Sequence, residues 1–218
     1  MFQIKICGIT SVEDALVVAR AGADAIGLNF YARSPRCVTA TAAGEIVRAL
    51  PAGISKVGLF VDTPARDICR LFDYLQLDLI QLHGDQQPEF LPPLGSRPVM
   101  RAFRVGPDGL RSVAAYLDRC RELGKGVTMV LIDSLVVGEY GGTGTVADWS
   151  VAQAYGAETG RPPLVLAGGL TPESVAAAIR TVGPAAVDVA SGVESRPGRK
   201  DPARVEAFIQ ATRIAFRG

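Results

Sequence analysis

Eight short apolar runs, each followed by a helical or loop-helix segment, and a uniform composition from end to end predict an α/β fold: one (β/α)8 TIM barrel. Alternating strand and helix demands a parallel sheet, because each parallel strand needs a crossover to reach the next. A doubly wound open sheet is the alternative. Its first turn would carry G-x-G-x-x-G, and Cys7-Gly8-Ile9-Thr10 does not. No linker or second composition regime interrupts the chain, so residues 1–218 read as a single catalytic domain.

The first strand, Gln3 to Cys7, alternates strictly, and Thr10-Ser11-Val12-Glu13 reads as a capping box for a helix to about Arg20. Ala25 to Phe30 is the second strand. Thr39 or Thr41 opens a helix to Leu50. Lys56 to Val61 is the third strand, with Thr63-Pro64 as cap and first helical residue. Leu79 to His83 is the fourth, followed by a short helix near Pro88. Val99 to Phe103 is the fifth, with a helix from about Leu110 to Leu123. Thr128 to Asp133, Leu164 to Ala167 and Ala186 to Ala190 complete the set. Thr171-Pro172 and Asp201-Pro202 cap the last two helices, and Gly192 begins a short one between them. The glycine-rich stretch Ser134 to Ala147 is read as a lid, with a plain connection as the bland alternative.

The chain is 48% hydrophobic and 21% charged over 218 residues, a globular composition with enough length for one large core. Net charge is +1, and no basic stretch is long enough to track nucleic acid. No apolar run approaches a membrane span and no secretory segment follows Met1, so a cytoplasmic protein is expected. Cys7, Cys37, Cys69 and Cys120 form no CxxC pair, which fits a reducing compartment. With His83 as its one histidine, the chain is not expected to build a His-rich metal site.

Carrying the first strand's alternation around the ring places one residue set inside the barrel. It comprises Lys5 and Cys7, Gly27 and Asn29, Gly58 and Phe60, Gln81 and His83, Arg101 and Phe103, Leu131 and Asp133, Val165 and Ala167, Asp188 and Ala190. The opposite set, Ile4, Ile6, Ile26, Leu28, Val57, Leu59, Ile80, Leu82, Val130, Ile132, Val187 and Val189, is apolar and packs on helices. Buried polar groups cost several kcal/mol unless paired, so this polar interior points to a site or to an internal ion network. Barrel active sites lie at the C-terminal strand ends, here Cys7, Asn29, His83, Phe103, Asp133 and Asp188. A thiol at Cys7 and a carboxylate at Asp133, expected to face each other across the mouth, suit a base and an acid. A small buried hydrophobe is the alternative for Cys7.

Gly168 and Gly169 follow the seventh strand, and Ser191 and Gly192 follow the eighth. Glycines there let backbone N–H groups approach an anion, in the position where barrels of this kind bind phosphate. The glycine loop at Gly141-Gly142-Thr143-Gly144 is placed to close over the same group.

These residues resemble the phosphoribosylanthranilate isomerase family of tryptophan biosynthesis. The resemblance rests on Lys5-Ile6-Cys7-Gly8, Ser34-Pro35-Arg36, Gln81-Leu82-His83-Gly84, Gly141-Gly142-Thr143-Gly144, Asp148-Trp149 and Ser191-Gly192-Val193-Glu194, and it runs along nearly the whole chain. It implies an Amadori rearrangement of a small phosphorylated sugar-anthranilate, without cofactor or metal, in a monomer or homodimer. It further implies Asp133 as general acid, Cys7 as general base and Arg36 as the partner of the anthranilate carboxylate. Asp188 and His83 would contact substrate, and Gly142, Gly168, Gly169, Ser191 and Gly192 its phosphate. Lys5, two residues below Cys7, is a candidate for lowering the thiol pKa.

Thr145 stands where the family often has Lys, Ala147 where it often has Phe, and Cys37 where an aromatic is common. A histidine-pathway sugar isomerase barrel would carry Asp in place of Cys7. A metal-dependent pentose-phosphate epimerase would need more histidines. A non-catalytic sugar-phosphate binder would have no reason to keep both Cys7 and Asp133.

Overall fold

The computed structural model describes residues 2–104, 109–134, 149–157 and 160–218. Strands β1 (Ile4–Cys7), β2 (Ala25–Asn29), β3 (Ser55–Phe60), β4 (Leu79–Leu82), β5 (Val99–Arg104), β6 (Met129–Asp133), β7 (Leu164–Ala167) and β8 (Ala186–Val189) form a closed parallel ring in chain order. The ring shuts where Ile4, Lys5 and Ile6 of β1 pair with Val187, Asp188 and Val189 of β8. Around it lie α1 (Val12–Arg20), α2 (Ala40–Ala49), α3 (Ala65–Leu75), α4 (Leu110–Glu122), α5 (Ser150–Gly156), α6 (Val175–Val182) and α7 (Pro202–Arg217). Between β4 and β5, two 3-10 turns at Pro88–Phe90 and Pro92–Leu94 stand where a short helix is expected. A 3-10 turn (Ser191–Val193) and a hairpin, β9 (Glu194–Arg196) with β10 (Arg199–Lys200), separate β8 from α7. Among the described residues no helix is long and apolar enough to cross a membrane.

The helix starts follow from local hydrogen bonding, with three departures from the sequence reading. The hydroxyl of Ser11, not Thr10, accepts from the Asp14 N–H at the start of α1. Thr10 instead donates to the Gly198 carbonyl at 2.6 Å and ties the first loop to the hairpin. At α3, Pro64 itself occupies the cap position and no side chain caps the helix. Before α6, Thr171 and Ser174 bond each other's backbone N–H groups, so the helix begins at Val175, later than Thr171-Pro172 suggests. Thr39 caps α2, and the Asp201 carboxylate caps α7 by accepting from Ala203 and Arg204.

Two apolar layers sandwich the sheet. Outside, Ile4, Ile6, Ile26, Leu28, Ile80, Leu82, Val130, Ile132, Val187 and Val189 pack under the helices, as their alternation implies. Inside, Phe2, Ala25, Val57, Leu79, Met100, Ala102, Met129, Leu131, Val165, Ala167 and Ala186 fill the barrel. On β3 and β5 the alternation runs opposite to the sequence reading. Val57 lies beside Gly27, Gly58 beside Ile80, and Ala102 beside Leu131. Residues directly paired across a parallel sheet share a face, so Val57 and Ala102 point in while Gly58, Phe60, Arg101 and Phe103 point out.

The physical reason differs for the two strands. After Lys56, the run Val57 to Val61 is apolar in both phases, so periodicity alone cannot orient it. Arg101 lies behind the sheet, its guanidinium 5.1 Å from the Phe103 ring and 5.2 Å from the Tyr116 ring. It donates to the carbonyls of Leu82 at 3.1 Å and Ala102 at 2.8 Å. Polar inward positions on the other strands therefore come from β1, β2, β4, β6 and β8, while on β5 Arg101 belongs to the outer shell and Arg104, paired with Asp133 at the strand's end, shares the inward face.

Phe60 is fully buried in that shell and stacks on Phe30 with centroids 5.2 Å apart. Phe60→Ala is expected to lower unfolding free energy by about 3–5 kcal/mol, read from urea denaturation, while the folded fraction keeps its kcat. A kcat loss as large as that of a mouth residue would put the ring inside the barrel instead.

Candidate active site

At the C-terminal ends of the strands lies a cavity of about 210 Å³. Its lining includes Cys7, Arg36, His83, Asp133, Gly168, Gly169, Asp188, Ser191 and Gly192 together. Gly142 and the loop read as a lid, from Leu135 on, lie outside the described residues. Phe103 is not at the mouth, because its strand turns that face toward α4. Cys7 and Asp133 stand three strand positions apart in the eight-stranded ring, with β7 and β8 between β6 and β1. The thiol and the carboxylate therefore flank the two strands that carry the glycine loops.

Below Cys7, the Lys5 ammonium is fully buried and bonds Asp188 Oδ2 at 2.8 Å. Asp188 Oδ1 is also buried and has no hydrogen-bond partner among the described residues. Burial pushes the Cys7 thiol above its ordinary value; the Lys5 charge pulls it down and the Asp188 charge pushes it up again. Burial would lower the Lys5 pKa, but Asp188 and then Cys7 hold it above the usual lysine value. Lys5 is thus both the counter-ion of Asp188 and the group that offsets thiol desolvation. Both side chains fit because Gly27 stands beside Cys7 in the register. A Cβ at residue 27 would fall 2.6 Å from Cys7 Sγ and 3.0 Å from Lys5 Nζ.

Arg36 reaches the mouth from the Ser34-Pro35-Arg36 loop. That loop is shaped by Asn29, whose amide donates to Ser34 Oγ, while Ser34 Oγ accepts from the Arg36 N–H, both at 3.1 Å. The Arg36 fork is already bidentate: Nε and Nη2 donate to the two Glu194 oxygens at 2.8 and 2.7 Å. Lys200 Nζ adds a third bond to Glu194 Oε1 at 2.9 Å. Burial alone would raise the Glu194 carboxyl, but the Arg36 hydrogen bond and Lys200 hold it below the usual carboxylate value. Two cations thus share one carboxylate, and this corner keeps a net positive charge. Arg36 Nη1 has no hydrogen-bond partner among the described residues.

The glycine loops are tied to each other. Gly192 lies so close to Leu170 that a Cβ would sit 1.9 Å from the Leu170 carbonyl oxygen. Gly168 and Gly169 both adopt positive φ, at 94° and 63°. Ser134 Oγ donates to the Ala167 and Gly168 carbonyls, and Lys200 Nζ to the Ala190 carbonyl. On the opposite wall, His83 Nδ1 is 3.0 Å from the Gln81 amide nitrogen and His83 Nε2 is 3.7 Å from Asp133 Oδ2.

Asn29, Gln81, Glu194 and Lys200 were not singled out as site residues from sequence. Gln81 and Asn29 were visible as polar inward positions. Glu194 and Lys200 act through Arg36, a contact across 158 residues of chain that no local pattern reveals.

A closed parallel barrel whose mouth gathers a thiol, a carboxylate, an imidazole and glycine loops defines an acid–base enzyme of the TIM-barrel class. The family model described as N-(5'phosphoribosyl)anthranilate (PRA) isomerase matches residues 4–211. N-(5'-phosphoribosyl)anthranilate isomerase of Pseudomonas aeruginosa (strain UCBPP-PA14) is 49% identical over 213 residues, covering 97% of this chain and 95% of its own. That of Geobacter sulfurreducens is 48% identical over 210 residues, covering 96% and 98%. The crystal structure of phosphoribosyl anthranilate isomerase from Thermotoga maritima superposes with a TM-score of 0.84 at 38% identity, over 98% of this chain and 99% of that one. A phosphoribosyl anthranilate isomerase in complex with reduced 1-(o-carboxyphenylamino)-1-deoxyribulose 5-phosphate gives 0.82 at 36% identity, over 98% and 99%. The chain belongs to the N-(5'-phosphoribosyl)anthranilate isomerase family, and it is an isomerase of tryptophan biosynthesis.

Two outcomes test the thiol's surroundings. In Lys5→Met, the midpoint of the Cys7 alkylation rate against pH should move up, since the Lys5 charge pulls the thiol down; an unchanged midpoint would exclude Lys5. Gly27→Ala should displace the thiol and cut kcat by roughly 10²-fold, the scale of a 1 Å misplacement, with the circular dichroism spectrum retained.

Proposed function

We propose that the chain converts N-(5-phosphoribosyl)anthranilate into 1-(2-carboxyphenylamino)-1-deoxyribulose 5-phosphate with Asp133 as general acid and Cys7 as general base. The observation that carries this reading is the cavity they share, with the glycine loops of β7 and β8 between them. Asp133 gives its proton to the ribose ring oxygen. The C1–O bond breaks, the nitrogen lone pair forms the Schiff base, and the ring opens. The Cys7 thiolate removes the C2 proton, and the electron pair moves to give an enolamine. Loss of the proton on the C2 oxygen and gain of one at C1 yield the ketone. C2 is oxidised and C1 reduced within one molecule, so electrons balance without an external oxidant.

The remaining residues bind. Gly168, Gly169, Ser191 and Gly192 offer backbone to the phosphate at the glycine loops, with Gly142 added from the loop outside the described residues. Arg36 takes the anthranilate carboxylate through Nη1, its other edge being held by Glu194. Asp188, steadied by Lys5, has Oδ1 left for a sugar hydroxyl or the iminium, and His83 borders the same space. We also infer that residues 1–218 act as one catalytic domain, in the cytoplasm, as a monomer or homodimer. Its partner is this small substrate rather than nucleic acid or membrane, in keeping with a net charge of +1.

Cys7→Ala and Asp133→Asn should each lower kcat by about 10²–10⁴-fold, the usual contribution of a positioned acid or base. The assay follows loss of anthranilate fluorescence on freshly made substrate. Full activity in either variant would remove that residue from the mechanism. Arg36→Met should raise KM more than it lowers kcat.

A further inference from the structure

One hydrogen bond in the mouth is not explained by these roles. Gln81 is fully buried in β4, and its amide Nε2 lies 3.0 Å from Nδ1 of His83, two residues along the same face. An amide N–H can only donate, so the ring nitrogen facing it must be bare. A neutral imidazole then carries its single proton on Nε2, the nitrogen 3.7 Å from Asp133 Oδ2. The position is costly to keep polar. Gln81 Oε1 is buried and has no hydrogen-bond partner among the described residues, an arrangement that costs stability. The neighbours paired with it, Leu59 and Met100, show that an apolar side chain would fit this layer.

We propose that Gln81 is a positioning residue that locks His83 in the Nε2–H tautomer, so that the ring can donate toward Asp133 but cannot take its proton. The inference rests on Asp133 being the general acid. With the other tautomer, a bare Nε2 beside the acid would be a sink for the proton meant for the ribose ring oxygen. With the locked tautomer, the proton has the substrate as its acceptor, and the carboxylate left behind faces an N–H donor. Charged and titratable groups facing this space are Asp133 on β6, Cys7 on β1, Arg36 on its loop, and Asp188 on β8 with Lys5 behind it. Among the described residues, Gln81 is the one hydrogen-bond partner of His83 Nδ1.

His83 is the single histidine of the chain, so ring 15N and 13C spectra of histidine-labelled protein read this residue without assignment. At alkaline pH, with the ring neutral, wild type should show the Nε2–H tautomer. Gln81→Glu places an acceptor against Nδ1 and should switch the ring to Nδ1–H. It should also cut kcat by at least about 10-fold with little change in KM, within the range of a disturbed acid. Gln81→Met, which removes the donor without adding an acceptor, should give a mixed tautomer signal and an intermediate kcat. A wild-type Nδ1–H signal, or an unchanged ring in Gln81→Glu, would overturn the lock. A switched tautomer with undiminished kcat would overturn its catalytic consequence. Failure of the underlying acid assignment shows separately, as full activity in Asp133→Asn.

Discussion

The buried ion pair between Lys5 and Asp188 is the contact on which the mouth depends. It joins the first and last strands of the ring at the seam where the barrel shuts. Losing one partner of such a pair leaves an uncompensated buried charge, at a cost of about 3–5 kcal/mol. The pair also supports what sits above it. The Lys5 charge offsets part of the desolvation of Cys7, and its hold on Oδ2 leaves Asp188 with one buried carboxylate oxygen that has no hydrogen-bond partner among the described residues. Stability and chemistry therefore share one contact.

Much of this was legible in the sequence because the barrel repeats one rule eight times. Strand alternation on β1, β2, β4, β6, β7 and β8 placed Cys7, Asn29, Gln81, His83, Asp133 and Asp188 correctly inside. It failed where alternation carried no information. β3 is apolar on both faces, and an arginine on β5 was read as polar and therefore inward. Arg101 found its partners in aromatic rings and carbonyls behind the sheet, and no periodicity argument can weigh such partners against a cavity. Helix starts shifted by one to three residues for a similar reason. Thr10 was drawn to Gly198, 188 residues away, and could not cap its own helix.

The carboxylate corner shows a second division of labour. Glu194 holds Arg36 along one edge, and Lys200 holds Glu194 in turn. The guanidinium is fixed along one edge, so little freedom remains to be lost when the other edge is used. On the roles proposed above, the excess cation there serves the substrate's carboxylate and the glycine loops its phosphate.

The seam also has a consequence in time. Lys5 and Asp188 are 183 residues apart in sequence, and synthesis runs from the N-terminus at about 5–20 residues per second. The thiol is thus made early, and the surroundings that adjust its ionisation arrive nearly last. A nascent or partly folded chain carries Cys7 as an ordinary cysteine. Docking of the eighth strand buries the thiol and brings Asp188 beside it, and both raise its pKa, so a fall in reactivity at this thiol reports completion of the ring.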